Sequence, residues 1–197
     1  MSGVMSALRR INQFGLWFGG ALILSAALIV GVDVLMRKFL DRSMGGADEL
    51  SGYALAIGTT WGLGATLLDR AHIRIDSLYV LFPNRLRLAL DLVGILLFLG
   101  FFGMIGWHGL GVVAQSWTSG SRSQSALETP TVIPQFLWIA GLGLFVVTAA
   151  LLLLQALVFA TRGETQAMAQ IVSTRSAEEE VEDEIRDLKQ RQAREGS

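Results

Sequence analysis

Long apolar runs separated by short polar stretches set the pattern of this chain. The first run extends from about Phe14 to Met36 and is broken only by Asp33. At about 1.5 Å per residue it is long enough to cross a hydrocarbon core of roughly 30 Å. The second, Leu50 to Leu68, is shorter and carries Gly52, Gly58, Gly62 and Gly64. The third covers Leu92 to Ala114. The fourth, Val132 to Ala160, is long enough to need tilt or an extension beyond the bilayer. The pattern predicts an all-α integral membrane protein with four transmembrane helices, over 14–36, 50–68, 92–114 and 132–160. Residues 1–13 are read as a cytoplasmic N-terminus, 14–160 as the membrane domain and 161–197 as a charged cytoplasmic tail, partly helical or disordered.

The polar stretches have their own signals. Gly45-Gly46 marks a turn in the loop Arg37 to Asp48. Between the second and third runs, Ile75, Leu78, Tyr79, Phe82 and Leu86 fall on one helix face, with Asp76 as N-cap and Pro83 as terminator. They predict a short amphipathic helix lying in the membrane interface. The loop Ser116 to Pro130 carries only Arg122 and Glu128 as charges. In the tail, Ser176 and Glu179 form a capping box ahead of Val181, Ile185 and Leu188.

Counting Lys and Arg near the span ends orients the chain. With the N-terminus inside, the inner side carries Arg9, Arg10, Arg70, Arg74, Arg85, Arg87, Arg162 and Arg175. The outer side carries Arg37, Lys38, Arg42 and Arg122. Both termini are therefore placed inside, against a cluster of three basic residues on the outer side.

Composition narrows the function classes. Charged residues make up 17% of the chain, below the roughly 25% of soluble domains, and many crowd into the tail. A net charge of −1 leaves no footprint for nucleic acid. Cysteine is absent, which removes disulfides, thiolate metal sites and Cys nucleophiles, and two histidines cannot supply a paired-histidine zinc helix alongside other ligands. The first run is too long for the core of a cleaved signal peptide and reads as a retained signal anchor.

Several residues inside the runs invite explanation. Gly15 and Gly19, and Gly58 and Gly62, are spaced to let another helix approach closely. Gly100, Gly103, Gly106 and Gly109 argue for the same in the third run. Asp33 reads as a solvated interfacial carboxylate within reach of Arg37, or else as a subunit contact. Trp61, deep in the second run, needs an acceptor for its indole N–H and is expected to face protein. Trp117 and Trp138 read as one aromatic belt, Trp17 as part of the opposite one, and His108 as an interfacial histidine near the outer end of its span. Glu49 either caps the second helix or pairs with a basic group elsewhere. No catalytic, cofactor or metal site is expected, and a membrane protein without such machinery reads as a subunit of something larger.

The segment around the second run carries a resemblance. Glu49 precedes it, Trp61 and Gly64-Ala65 lie inside it, and Arg70-Ala71-His72-Ile73-Arg74-Ile75-Asp76 follows it. These residues, with the size and the four spans, resemble the small permease subunit (Q, or DctQ-type) of the tripartite ATP-independent periplasmic (TRAP) transporters. The resemblance implies a large permease subunit, M, that holds the substrate and sodium sites, and a periplasmic binding protein, P, that delivers a carboxylate. It further implies sodium symport of an organic acid across a bacterial inner membrane, driven by an ion gradient, with this subunit as a scaffold for M. Glu49, Gly58, Trp61, Gly62, Gly64, Arg70, His72, Ile73 and Asp76 become candidate interface or signature residues, and membrane lipid a further partner. Two other readings stay open: a haem-binding anchor of a redox complex using His72 and His108, and a stand-alone small channel.

Overall fold

The computed structural model describes residues 2–69 and 82–162, with residues 185, 186, 188, 189 and 192 of the tail. Among the described residues there are four long helices: α1 (Ser2–Leu40), α2 (Ala47–Leu68), α3 (Asn84–Ser119) and α4 (Val132–Thr161). Among the described residues there is no strand, only an isolated bridge between Arg122 and Pro130. Three helices, α1, α3 and α4, are long and apolar enough to cross a membrane. The glycine-rich α2, at 22 residues, is the shortest.

Two helices extend well beyond the apolar runs that announce them. α1 begins near the N-terminus because Leu8 and Asn12 are buried and Met5 packs on a cluster of Leu67, Phe145, Ala149 and Leu152. α3 begins at Asn84, since Leu88 and Leu92 pack with Ile95 against Ala156 on α4. At the other end α3 closes on Gly120, whose φ of 61° lets its N–H bond the Ser116 carbonyl.

The helices stand in a row and do not close a bundle. α1 lies along α2, α2 also lies along α4, and α4 carries α3 on its other flank, giving the spatial order 1-2-4-3. α1 and α2 are antiparallel, joined by a loop over 41–46. α2 and α4 run in the same direction, as the pairing of Leu67 with Ala149 and Leu152 and of Trp61 with Leu137 requires. The α1–α2 and α3–α4 loops therefore meet at one end of the row, here termed the loop end.

Helix contacts are set by missing side chains more than by large ones. A Cβ on Gly19 would stand 2.5 Å from the Gly58 carbonyl oxygen, and one on Gly15 2.8 Å from that of Trp61. α1 and α2 thus touch backbone to backbone over that stretch, as close approach in a membrane commonly requires. On α3 only Gly109 meets α4 tightly, with Ile139 at 2.7 Å from its Cβ position. Within the chain, a Cβ on Gly100 or Gly103 would meet nothing within 4 Å. Phe102 instead packs edge-on against Phe145, 4.7 Å between centroids.

The outside is apolar. Leu24, Leu28 and Phe39 on α1, Leu97 and Trp107 on α3, and Phe136 and Leu154 on α4 are exposed. In water so continuous a surface is a liability, whereas hydrocarbon matches it.

Two substitutions separate contact from composition. Gly58→Val should lower the unfolding midpoint in detergent by the equivalent of about 1–3 kcal/mol, the usual cost of overpacking. Gly100→Ala, with nothing within 4 Å of its Cβ position, should leave the midpoint unchanged or slightly raised.

Candidate functional site

Among the described residues no three His, Cys, Asp or Glu side chains converge on a point. What stands out is a ladder of polar contacts at three levels, from the loop end downward.

At the loop end two carboxylates are held within the chain. Asp33 is fully buried, which corrects its reading as a solvated group. Arg37, one turn on, donates from Nε at 2.6 Å and also from Nη2, while the Met44 N–H donates at 2.6 Å and the Ser43 hydroxyl at 3.1 Å. The α1–α2 loop thereby folds back over the end of its own helix. The carboxylate is charge-paired and hydrogen-bonded, the condition under which burial of an ion is tolerated.

Glu49 holds the other loop. Its Oε2 accepts from the hydroxyl of Ser123 at 2.9 Å and from that of Ser125. The same serines organise the α3–α4 loop: the Thr129 N–H donates to Ser123 Oγ and the Leu127 N–H to Ser125 Oγ. The Leu127 side chain then lies against Gly46. Oε1 is buried without a hydrogen bond of normal geometry, beside the Tyr53 and Thr129 hydroxyls. Burial pushes the Glu49 carboxyl up, but the hydroxyls of Thr129, Ser123 and Tyr53 outweigh it and hold the group below its ordinary value. Its partners are thus hydroxyls of the α3–α4 loop and of Tyr53 on its own helix, and the N-cap position, Gly46, has no side-chain cap.

The middle level is Trp61. Its Nε1–H donates to the Leu137 carbonyl of α4 at 2.9 Å, which supplies the acceptor that the sequence demands. Phe18 meets the indole edge-on at 5.2 Å. The slot for the ring is cut by glycine: a Cβ on Gly141 would lie 2.5 Å from Trp61 Cδ1 and 2.8 Å from Thr60 Oγ1. One turn further from the loop end, Asn12 is buried and donates from Nδ2 to the Leu8 carbonyl at 2.9 Å and to Thr148 Oγ1 at 3.1 Å. The Thr148 hydroxyl in turn donates a hydrogen bond to the Leu144 carbonyl, 2.7 Å away. Asn12 Oδ1 occupies the place a Cβ of Gly64 would take. α1, α2 and α4 are therefore locked in register by side chains from all three.

The candidate residues named from the sequence divide accordingly. Glu49, Gly58, Trp61 and Gly64 make tight contacts inside the chain, while the position of a Gly62 Cβ meets only Leu16, at 3.8 Å. Arg70, His72, Ile73 and Asp76 lie outside the described residues, as do most of the interfacial helix and the tail capping box. Asn12, Thr148, Ser123 and Ser125 are the members that sequence reasoning missed. A lone Asn ahead of an apolar run and serines in a polar loop carry no spacing signal.

α3 runs on to Ser119, and the exposed His108 sits level with Trp138 and Ile139. It borders a groove of about 390 Å³ between α3 and α4. Trp138 is level with Gly109, about 12 Å along α3 from Trp117, so those two tryptophans form no common belt. Trp17 is level with Trp61, not at a helix end.

Comparison with known proteins gives one family. The family model described as Tripartite ATP-independent periplasmic transporters, DctQ component, matches residues 26–159, well over half of the chain. No curated protein matches. The matched residues begin within α1 and end within α4, so they include Asp33, Glu49 and Trp61 but not Asn12.

The ladder gives two measurable outcomes. Trp61→Phe removes one donor and should cost about 0.5–1.5 kcal/mol of stability in mixed micelles, because the Leu137 carbonyl keeps its helical partner. For Glu49, a carboxyl held below its ordinary value stabilises above that value and loses its effect as pH falls through the lowered one. The hydrogen-exchange protection factors of Leu127 and Thr129, taken relative to the intrinsic rate at each pH, should therefore be high at neutral pH and fall in acid, and Glu49→Ala should lower them throughout.

Proposed function

The chain belongs to the DctQ component family of the tripartite ATP-independent periplasmic transporters, and from that premise we propose that it is the small membrane subunit of such a transporter, serving as a stator for the large permease. On this reading α2 crosses the membrane as a fourth span, both termini lie in the cytoplasm, and the loop end faces the periplasm of a bacterial inner membrane. The periplasmic binding protein delivers an organic carboxylate to the large subunit, which moves it with sodium. This chain does no chemistry of its own.

The observation that carries the stator reading is the polar register of α1, α2 and α4, with Trp61 bound to Leu137 and Asn12 bound to Thr148. A helix row fixed at two depths resists sliding, which is what a static support for a moving partner needs. The charge pattern agrees. No Asp, Glu, Lys or Arg lies between Arg10 and Asp33, Glu49 and Asp69, Asp91 and Arg122, or Glu128 and Arg162. A carrier acting alone generally places ionisable groups near mid-membrane. The apolar flanks of α1 and α3, at the two ends of the row, are the surfaces available to the large subunit.

Two experiments test this proposal. A tagged copy should co-purify with a large multi-span permease expressed beside it, and a stably separate chain would sink the proposal. Reconstituted alone into liposomes, the chain should give no carboxylate uptake under a sodium gradient, and flux in that assay would favour a stand-alone channel.

A further inference from the structure

On the loop-end side of the Gly19–Gly58 contact, a groove of about 380 Å³ runs between α1 and α2. Its walls are apolar, with Ile23, Ala27 and Val30 on one side and Leu55 on the other. Gly52 forms its floor, and a Cβ there would meet nothing within 4 Å. Its mouth is polar and carries Asp48 and Ser51. Apolar depth and a charged rim, in that order along the helix axis, match one phospholipid leaflet in profile.

We propose that this groove binds a phosphatidylethanolamine molecule, with an acyl chain between α1 and α2 and the headgroup at Asp48. The inference rests on the membrane placement above, with the loop end at the periplasmic surface, and not on the stator role. A neighbouring helix is about 10 Å across with its side chains and cannot enter a cleft between two helices already in backbone contact. A single hydrocarbon chain fits it.

Charge complementarity at the rim selects the headgroup. The Asp48 side chain is 89% exposed, and one of its oxygens is 3.9 Å from an Arg37 nitrogen. Arg37 spends Nε and Nη2 on Asp33, yet its side chain is still 50% exposed. A carboxylate and a guanidinium side by side suit a zwitterion, with the ammonium on Asp48 and the phosphate toward Arg37. Ser51 Oγ donates to the Asp48 carbonyl at 2.9 Å and keeps its lone pairs for an incoming N–H. A choline headgroup has no N–H to give, and a glycerol headgroup leaves a net negative lipid against Asp48.

The test uses the full-length chain, extracted from membranes, stripped of lipid in detergent and melted with added dioleoyl phosphatidylethanolamine, phosphatidylcholine or phosphatidylglycerol. The ethanolamine lipid should raise the midpoint most. Gly52→Leu, which fills the floor, should abolish that increment without lowering the lipid-free midpoint, and Asp48→Asn should erase the preference of ethanolamine over choline. Equal increments for the three lipids, or the full increment and preference kept in both variants, overturn the site. Should Gly52→Leu melt low on its own, the Asp48→Asn comparison decides alone. Recovery of the chain in the soluble fraction would instead overturn the membrane placement, a result distinct from a failure of the groove.

Discussion

An indole N–H packed among apolar side chains must be met by an acceptor, and at Trp61 that requirement orders the helices. The acceptor is the Leu137 carbonyl, which fixes α4 against α2. Space for the ring comes from Gly141 on α4, and α1 reaches the Trp61 backbone only through Gly15. α2 is thus committed on both flanks, to α1 by backbone contact and to α4 by a polar bond. α3 is left with the far side of α4, and the row 1-2-4-3 follows.

Two kinds of force hold this row. Along the helices, the absence of Cβ atoms at Gly15, Gly19 and Gly109 brings surfaces within dispersion range, which matters where lipid removes the hydrophobic drive to associate. At the loop end the forces are electrostatic, with Asp33 and Glu49 each gathering a loop around a carboxylate. Both carboxylates take their donors from within the chain, Asp33 from Arg37 and two N–H or O–H groups, Glu49 from hydroxyls on Oε2. The loop-end surface that remains for partners carries Lys38, Arg42 and Asp48, all exposed.

Much of this was legible in the sequence, and the reason is physical. Apolar runs of spanning length have few alternatives to helix in a membrane, so the four helices were visible from hydropathy alone. Trp61 was legible too, because a polar N–H in such a run has to be answered. The partner on α4 was not, since a carbonyl leaves no mark in a sequence. Asp33 misled because an i,i+4 arginine fits a solvated pair as well as a buried one, and only the fold-back of Ser43 and Met44 decides. The glycines of α3 were legible only in part: spacing marks a smooth face but not what lies against it, and within the chain Gly109 alone of the series has a tight neighbour. Helix ends ran past the apolar runs wherever a single residue, such as Leu8 or Leu88, found a neighbour.

The parallel pairing of α2 with α4 bears on how the protein is made. Ribosomes deliver α1 and α2 first, and their glycine contact and the Asp33 clasp can close while the rest of the chain is still unsynthesised. Trp61 cannot be satisfied at that stage, because Leu137 lies beyond α3 and the following loop. Until the last helix is made, a nascent molecule holds a Trp61 indole without its Leu137 acceptor. The polar locks onto α4, at Leu137 and Thr148, are thus the last that synthesis allows to close.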